Sequence, residues 1–457
     1  MQEFTSLRRR IEEEDVDSVD FRVSDLDGRF RHLTIPAERF GESILTDGIG
    51  FDASNFGYCS AFGSDRVLIP DPSTAYVEVR RGERILTLIS DVCDAATRAP
   101  AEDDPRGMAA AAVEYLSGLG IADEALVSPE FEFYVFDAIR YESDPERSGV
   151  EFAPVEGVGA AGVGGTTRSA YHAPLAQDRL FPIRCEIVRQ VESAGIPVKY
   201  HHHEVGPFGQ QEIELGFERL VRMADAVLVV KSIVHSVAAE EGLTATFLPK
   251  PMYGQAGNGL HLHQYLVRDG RNLFHTGDEL SETARCYIGG LLKHGASLMA
   301  LTNPSTNSYR RLVPGHEAPV RFVYGASNRT AAVRVPTYAR GEKTRIELRT
   351  MDATCNPYLA FAAILMAGID GIRRGLDARE MGFGPIGGDA NELDTGQLAP
   401  RDLNEALSAL ETDREYLLTG GVFSEGILAQ WIRAKHNEAV AVASRPHPHE
   451  FSLYYDL

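Results

Sequence analysis

The chain has 457 residues, 44% of them apolar, enough to supply cores for two or three domains. Its 45 basic residues against 66 acidic ones leave a formal charge of −21, which excludes the positive footprint of a nucleic-acid binder. Five scattered cysteines without a CxxC pair exclude a disulfide framework or structural zinc site, and no run approaches the ~18 apolar residues of a membrane helix. The opening residues carry Arg8-Arg9-Arg10 and an acidic run but no apolar segment of a signal peptide, so a soluble cytoplasmic protein in a reducing setting is expected.

Residues 1–102 are expected to form a small α+β domain. An amphipathic opening helix precedes short strand-like runs at Val19–Val23, Val67–Ile69, Tyr76–Val79 and Ile85–Ile89, separated by Gly, Pro and Asp turns. Asp103-Asp104-Pro105-Arg106 then opens a helix through Leu116, with acids expected in its first turn, and the domain boundary is placed there. Residues 103–457 read as a larger α/β unit with helices at Phe181–Ala194 and Leu220–Glu240. A further amphipathic helix over Asp402–Leu418 is stopped by Gly420-Gly421. The tail from Pro446 to Leu457 is expected to dock on a neighbouring surface. Gly157–Gly162 matches the G-x-G-x-x-G fingerprint, but Pro154 before it and Gly164-Gly165-Thr166-Thr167 after it deny it the strand and helix that motif requires. A Walker P-loop is absent from the sequence as well, so any nucleotide would be held by side chains and metal.

Five blocks carry the chemistry. Pro129–Phe136 reads as a strand of aromatic and β-branched residues, so Glu130 and Glu132 project from one face. Such a face is either solvated at a sheet edge or compensated by cations. His201-His202-His203-Glu204 leads through Gly206-Pro207-Phe208-Gly209 to Glu212, a strand, tight loop and strand that bring Glu204 and Glu212 together. Neighbouring residues alternate sides, so most of the three histidines are expected to pack or hydrogen-bond. In the third block, Ala256-Gly257-Asn258-Gly259 precedes His261-Leu262-His263, whose imidazoles share a face. Fourth, residues 303–320 read as a loop bearing one isolated acid, Glu317. Fifth, Asn328-Arg329 and Arg334 precede Arg345-Ile346-Glu347-Leu348-Arg349, an alternating charge ladder expected to line an interior wall.

Glu130, Glu132, Glu204, Glu212, Glu347 and His261 make six ligands, a set that suits two hard divalent ions, Mg²⁺ or Mn²⁺. Arg329, Arg334, Arg345 and Arg349 supply planar cations for phosphate and carboxylate. Two metals and an arginine cluster without a P-loop describe phosphoryl transfer from ATP.

In this order the blocks resemble type I glutamine synthetases, and matching stretches run from Asp47-Gly48-Ile49-Gly50-Phe51-Asp52 through Ile69-Pro70-Asp71-Pro72 to Asn356-Pro357-Tyr358. The resemblance implies an N-terminal β-grasp domain and a catalytic domain of curved antiparallel strands and helices, assembled as a dodecamer of two stacked hexameric rings with shared sites. It implies ligation of ammonia to L-glutamate at the expense of ATP, through γ-glutamyl phosphate. By position, Glu132, Glu204 and Glu212 would hold one metal, and Glu130, His261 and Glu347 the second. Arg329 and Arg334 would meet phosphates, with Arg345, His263 and Phe217 also on the nucleotide side. Arg311 would grip the glutamate α-carboxylate and Arg349 the γ-carboxylate, with Gly257, Glu132 and Glu204 beside the substrate. Asp52 of an adjacent subunit would bind ammonium and take its proton, Tyr171 would be a further ammonium contact, and Glu317 would close over the intermediate.

Two departures stand out against that pattern: Ala53-Ser54-Asn55 replaces Gly-Ser-Ser after Asp52, and Ala256-Gly257-Asn258-Gly259 replaces Asn-Gly-Ser-Gly. They point to an alternative acceptor, an alkylamine or polyamine, and a γ-glutamylamide ligase. A catalytically silent relative is the third reading, weakened because every metal and arginine position is kept. Residues 384–401 contain no tyrosine, so regulation by adenylylation there is not expected.

Overall fold

The short runs of the first hundred residues assemble into a six-stranded sheet. Its order is Phe30–Pro36, Ser18–Ser24, Glu83–Asp94, Asp65–Pro70 and Ile49–Asp52, with Tyr76–Arg80 also paired to Glu83–Asp94. Ser18–Ser24 alternates Val19, Phe21 and Val23 into the core, where Leu7 and Ile11 of helix Gln2–Glu13 meet them. The structure is a computed structural model that describes residues 2–57, 63–156, 170–313, 318–393 and 396–457. Glu317 and the glycine-rich 157–162 segment lie outside the described residues.

The second sheet carries the site. Its eleven strands run in the order Tyr324–Ala326, Val333–Val335, Ile346–Leu348, Leu260–Arg268, Glu124–Ser143, Gln210–Leu215, Val198–His203, with short strands appended to this path. All pairings along that path are antiparallel except that of Tyr324–Ala326 with Val333–Val335. Along Glu124–Ser143 the side-chain period of two sends Phe131 and Phe133 into the core, fully buried, and Glu130 and Glu132 to the opposite face. Helix Leu220–Glu240 packs on this strand, and helix Pro357–Arg374 packs on Leu220–Glu240. Both are apolar almost all round, as helices enclosed by other elements are. Sheets and helices together make the chain α+β.

Arg106 joins the two sheets. Its Nη2 donates to Asp71 Oδ2 at 2.7 Å and its Nη1 to Asp91 Oδ1 at 2.5 Å, both in the first unit. Its Nε donates to Asp225 Oδ1 at 2.9 Å, on helix Leu220–Glu240. Asp104 does not sit in the first turn of helix Pro105–Gly118 but caps it, accepting from the backbone N–H of Arg106 and Gly107. The helix expected over 402–418 is two, Leu403–Thr412 and Glu415–Leu418. The break falls at Asp413, whose carboxylate turns inward to His294 at 2.9 Å. The loop expected over 303–320 contains a helical turn, Ser308–Arg311, that tucks Arg311 inside. No helix of the described residues is long and apolar enough to cross a membrane.

Candidate active site

Strand register concentrates the acids. Glu132 stands opposite Glu212, Glu130 opposite both Glu214 and His261, and Glu347 opposite His263 and Arg334. The Gly206–Gly209 turn returns the chain so that Glu204 reaches the same place, its N–H donating to Gln210 O at 2.9 Å. Ligand atoms of Glu130, His261 and Glu347 lie within 4.8 Å of one another, and so do those of His202, Glu204 and Glu212. These groups line or underlie one cleft of about 630 Å³, whose wall holds Glu130, Glu132, Glu204, Glu212 and His261 together with Arg311, Arg329, Arg334 and Arg349.

The two clusters are electrostatically opposite. Burial drives the pKa of Glu204 well above the ordinary carboxylate value, and Glu212 and Glu132 add repulsion. Glu212 is raised well above it too, by burial and then by Glu130 and Glu132. Glu204 Oε2 is buried without a hydrogen bond, with His202 Nδ1 3.6 Å away. In the second cluster, burial of Glu347 is outweighed by Arg349, which holds its carboxyl at about 2. For Glu130, burial is outweighed by hydrogen bonds from His261 and His263, which hold it well below its usual value. Carboxylates crowded in the first cluster, with an orphaned oxygen among them, are what a hard divalent cation relieves. The donor set of five carboxylates and imidazole fits Mg²⁺ or Mn²⁺ better than zinc.

A glycine loop sets the position of Arg311. Gln210 Nε2 donates to Gly257 O at 2.9 Å, and Tyr134 Oη donates to Ala256 O at 2.9 Å, pinning the loop over the strand. A Cβ on Gly257 would lie 2.8 Å from Arg311 Cγ, and one on Gly259 2.6 Å from Arg311 Nη2. Gly259 N–H donates to Glu132 Oε2 at 2.7 Å. Arg311 itself donates to the carbonyls of Thr350 at 3.0 Å and Arg349 at 3.1 Å.

Most of the residues singled out in the sequence share this cleft or its floor; others lie apart. Tyr171 and Gly257 are in its wall, and Glu347 is buried beneath Arg334 and Arg349. His263 is fully buried and bonds Glu130 Oε1 at 2.7 Å. Arg345 lies behind the cleft, with Phe217 5.8 Å away and Tyr338 5.2 Å away. Asp52 is exposed on the edge strand Ile49–Asp52 of the first sheet, capping the turn Ala53–Phe56 through Ser54 N–H at 2.9 Å. It is not part of this chain's own cleft wall. Of the residues that depart from the family pattern, Ala256 lines that wall, while Ala53 and Asn258 do not. Ala53 is fully buried, and Asn258 turns its amide to Leu248 O at 2.9 Å and Gln210 at 3.0 Å.

Sequence reasoning missed three neighbours. His202 lies within reach of both Glu204 and Glu212, and the period of two that paired Glu130 with Glu132 places residue 202 beside 204. Glu214 lies on the acidic face, two residues from Glu212, its Oε1 paired with Lys199 and its Oε2 buried without a hydrogen bond. His172 packs on His202 with ring centroids 4.2 Å apart, a contact that nothing in the local sequence signals.

Comparison with known proteins decides the family. Residues 102–454 match the glutamine synthetase catalytic domain, and residues 15–95 the glutamine synthetase β-grasp domain. The chain belongs to the glutamine synthetase family. Among curated relatives, glutamine synthetase of Frankia alni is 42% identical over 469 residues, covering 98% of both chains. That of Mycolicibacterium smegmatis is 42% identical over 472 residues, again covering 98% of each. Among solved structures, Plasmodium falciparum glutamine synthetase superimposes with a TM-score of 0.89 at 26% identity, covering 99% of this chain and 98% of that one. A structure titled apo GmaS without ligand gives 0.81 at 28% identity, covering 99% of each. The first sheet is therefore the family's β-grasp unit, the second its catalytic domain, and the chain is an ATP-dependent carbon–nitrogen ligase of the glutamine synthetase type.

Proposed function

We propose that the chain makes glutamine from L-glutamate, ammonia and ATP, in the cytoplasm, with the division between its domains at residues 102 and 103. The observation that carries this reading is the cleft itself, which brings two carboxylate clusters and four arginines together. Glu132, Glu204 and Glu212 would hold one divalent cation, with His202 beside them, and Glu130, His261 and Glu347 the second. Such ions neutralise phosphate charge and hold the oxygens of an in-line displacement. Arg329 and Arg334 receive the phosphates, and Arg311 and Arg349 orient the α- and γ-carboxylates of glutamate. The γ-carboxylate attacks the γ-phosphorus of ATP, ADP leaves, and ammonia displaces phosphate from the resulting acyl phosphate. Asp52, exposed and outside its own cleft, fits a role in a neighbouring subunit's site, where its ionised carboxylate can take the ammonium proton. Assembly into stacked hexameric rings agrees with that placement and with the exposed Phe451, Leu453, Tyr454 and Tyr455 of the tail.

Phosphate release measured with glutamate, ATP and Mg²⁺ against a panel of amines tests the reading. Ammonia is the expected acceptor, since Asp52 and Tyr171 are kept, and the panel weighs this against the departing Ala256 in the cleft wall. Preference for an alkylamine or polyamine would instead make the chain a γ-glutamylamide ligase, and no turnover with any amine would make it a silent relative.

A further inference from the structure

Both oxygens of Glu347 are committed to arginines that face the cleft. Arg334 Nη1 donates to Oε2 at 2.6 Å, and Arg349 Nη1 donates to Oε1. Glu347 has no exposure, and it stands within 4.8 Å of the ligand atoms of Glu130 and His261. The guanidinium groups that substrate anions need are thus the counter-ions of a metal-ligand candidate. Pulling them away would leave Glu347 buried and uncompensated, which is costly. Placing a dication beside them, with nothing else to neutralise it, crowds like charge in a dry floor.

We propose, resting on the function above, that Glu347 is an exchange point that couples cation binding to anion binding. A divalent cation at the second cluster takes Glu347 from Arg334 and Arg349, and the released guanidiniums turn to the carboxylate of glutamate and the phosphates of ATP. Each partner then favours the other, and the coupling is reciprocal. Arg334 acts here as a positioning residue whose hold on Glu347 opposes the cation until the anions arrive.

The test counts bound Mn²⁺ from the loss of the free-ion electron paramagnetic resonance signal, with no turnover involved. In the wild type, saturating L-glutamate should tighten Mn²⁺ binding by at least about fivefold, the low end of ordinary coupling between sites. Without glutamate, Arg334→Gln should tighten Mn²⁺ binding by a similar factor, because the competitor for Glu347 is gone. Arg329→Gln removes an equal charge from the same cleft while leaving the Arg334–Glu347 pair in place, and should shift the affinity less. If Arg334→Gln does not fold, Arg334→Lys keeps the charge, loses the Nη1 donor held on Glu347 Oε2 and should move the affinity in the same direction by a smaller factor. Equal shifts in the Arg334 and Arg329 variants, or weaker binding in the former, overturn the exchange while leaving the proposed function standing. No Mn²⁺ binding by the wild type sinks both.

Discussion

Glu132 and Glu212 stand directly opposite one another on neighbouring antiparallel strands, and Glu204 closes on the same spot. Like charges in that position repel, and burial adds to the penalty on their ionised forms. Glu204 and Glu212 therefore bind protons at a higher pH than ordinary carboxylates do. A cation that needs them ionised must displace those protons, so Mg²⁺ or Mn²⁺ affinity should fall as pH falls through their raised pKa. Calorimetric titrations in two buffers of different ionisation enthalpy should show net proton release on binding. Release indistinguishable from zero at pH values where that pair is part-protonated counts against ligation by it.

The same crowding predicts a substitution with opposite effects on stability and binding. Glu204→Gln removes one repelling charge and an oxygen left without a hydrogen bond. At a pH high enough to ionise Glu204, the apo protein should gain about 1 kcal/mol, the scale of a relieved cross-strand charge clash, read as a higher melting midpoint. Mg²⁺ affinity should drop at least about tenfold, since even outer partners of metal ligands cost that much. A variant that melts lower and binds Mg²⁺ unchanged contradicts the assignment.

How far these features were legible in the sequence depended on range. The period of two along Pro129–Phe136 put Glu130 and Glu132 on one face, and the structure agrees because Phe131 and Phe133 need the other face for the core. The same rule would have recovered His202 beside Glu204, had the three histidines been sorted by parity. Cross-strand partners were not legible: that Glu347 meets His263, on a strand far away in the chain, and Arg334, on the neighbouring short strand, is a matter of register. The break at Asp413 was hidden for the same reason, because the amphipathic period over 402–418 continues while His294, over a hundred residues earlier, draws the carboxylate inward. Among the departing residues, Ala53 and Asn258 are held in packing, whereas Ala256 lies in the cleft wall, a distinction the sequence alone did not draw.

Gly257 offers a test of substrate orientation. An added Cβ would approach Pro249 O to 2.6 Å and Arg311 Cγ to 2.8 Å, and the carbonyl belongs to backbone. Arg311 is the softer neighbour and should be pushed aside. Gly257→Ala should raise KM for glutamate by roughly 10- to 100-fold, the penalty for ångström-scale misplacement, while KM for ATP changes little. An unaltered glutamate KM would show that Arg311 does not hold the substrate.

Asp52 predicts a subunit-crossing phenotype. Its carboxylate is exposed and lies outside the cleft wall of its own chain. Asp52→Ala should therefore slow amide formation far more than formation of γ-glutamyl phosphate, trapped as its hydroxamate at high hydroxylamine. Co-assembly of inactive Asp52→Ala and Glu204→Gln chains should restore part of the lost turnover. Equal loss of both half-reactions, or no recovery in mixed assemblies, removes the proposed role.

His294 governs a last, structural prediction, away from the cleft. Its Nε2 lies 2.9 Å from Asp370 Oδ2 on helix Pro357–Arg374, and its Nδ1 lies 2.9 Å from Asp413 Oδ2 just beyond helix Leu403–Thr412. Its ring stacks on Tyr416 at 4.1 Å, while Ser297 donates to Asp413 and Arg374 to Asp370. Burial alone would lower the pKa of His294, but the two carboxylates outweigh it and raise the value above 6.5. The imidazolium donates from both nitrogens; the neutral ring can donate from only one. A raised folded-state pKa means that the stabilisation is fully present below the unfolded value and is lost as pH rises through the folded one. Asp370 and Asp413, both lowered against the opposing effect of burial, remain ionised throughout that range. His294→Gln should cost about 1–3 kcal/mol at mildly acidic pH, the range for hydrogen bonds to charged groups, with the lower part favoured because Asp413 is 39% exposed. The gap in melting midpoint between wild type and variant should narrow as pH is raised past the His294 pKa. A gap that stays constant, or widens with alkaline pH, would show that the ring serves by packing on Tyr416 and not by its charge.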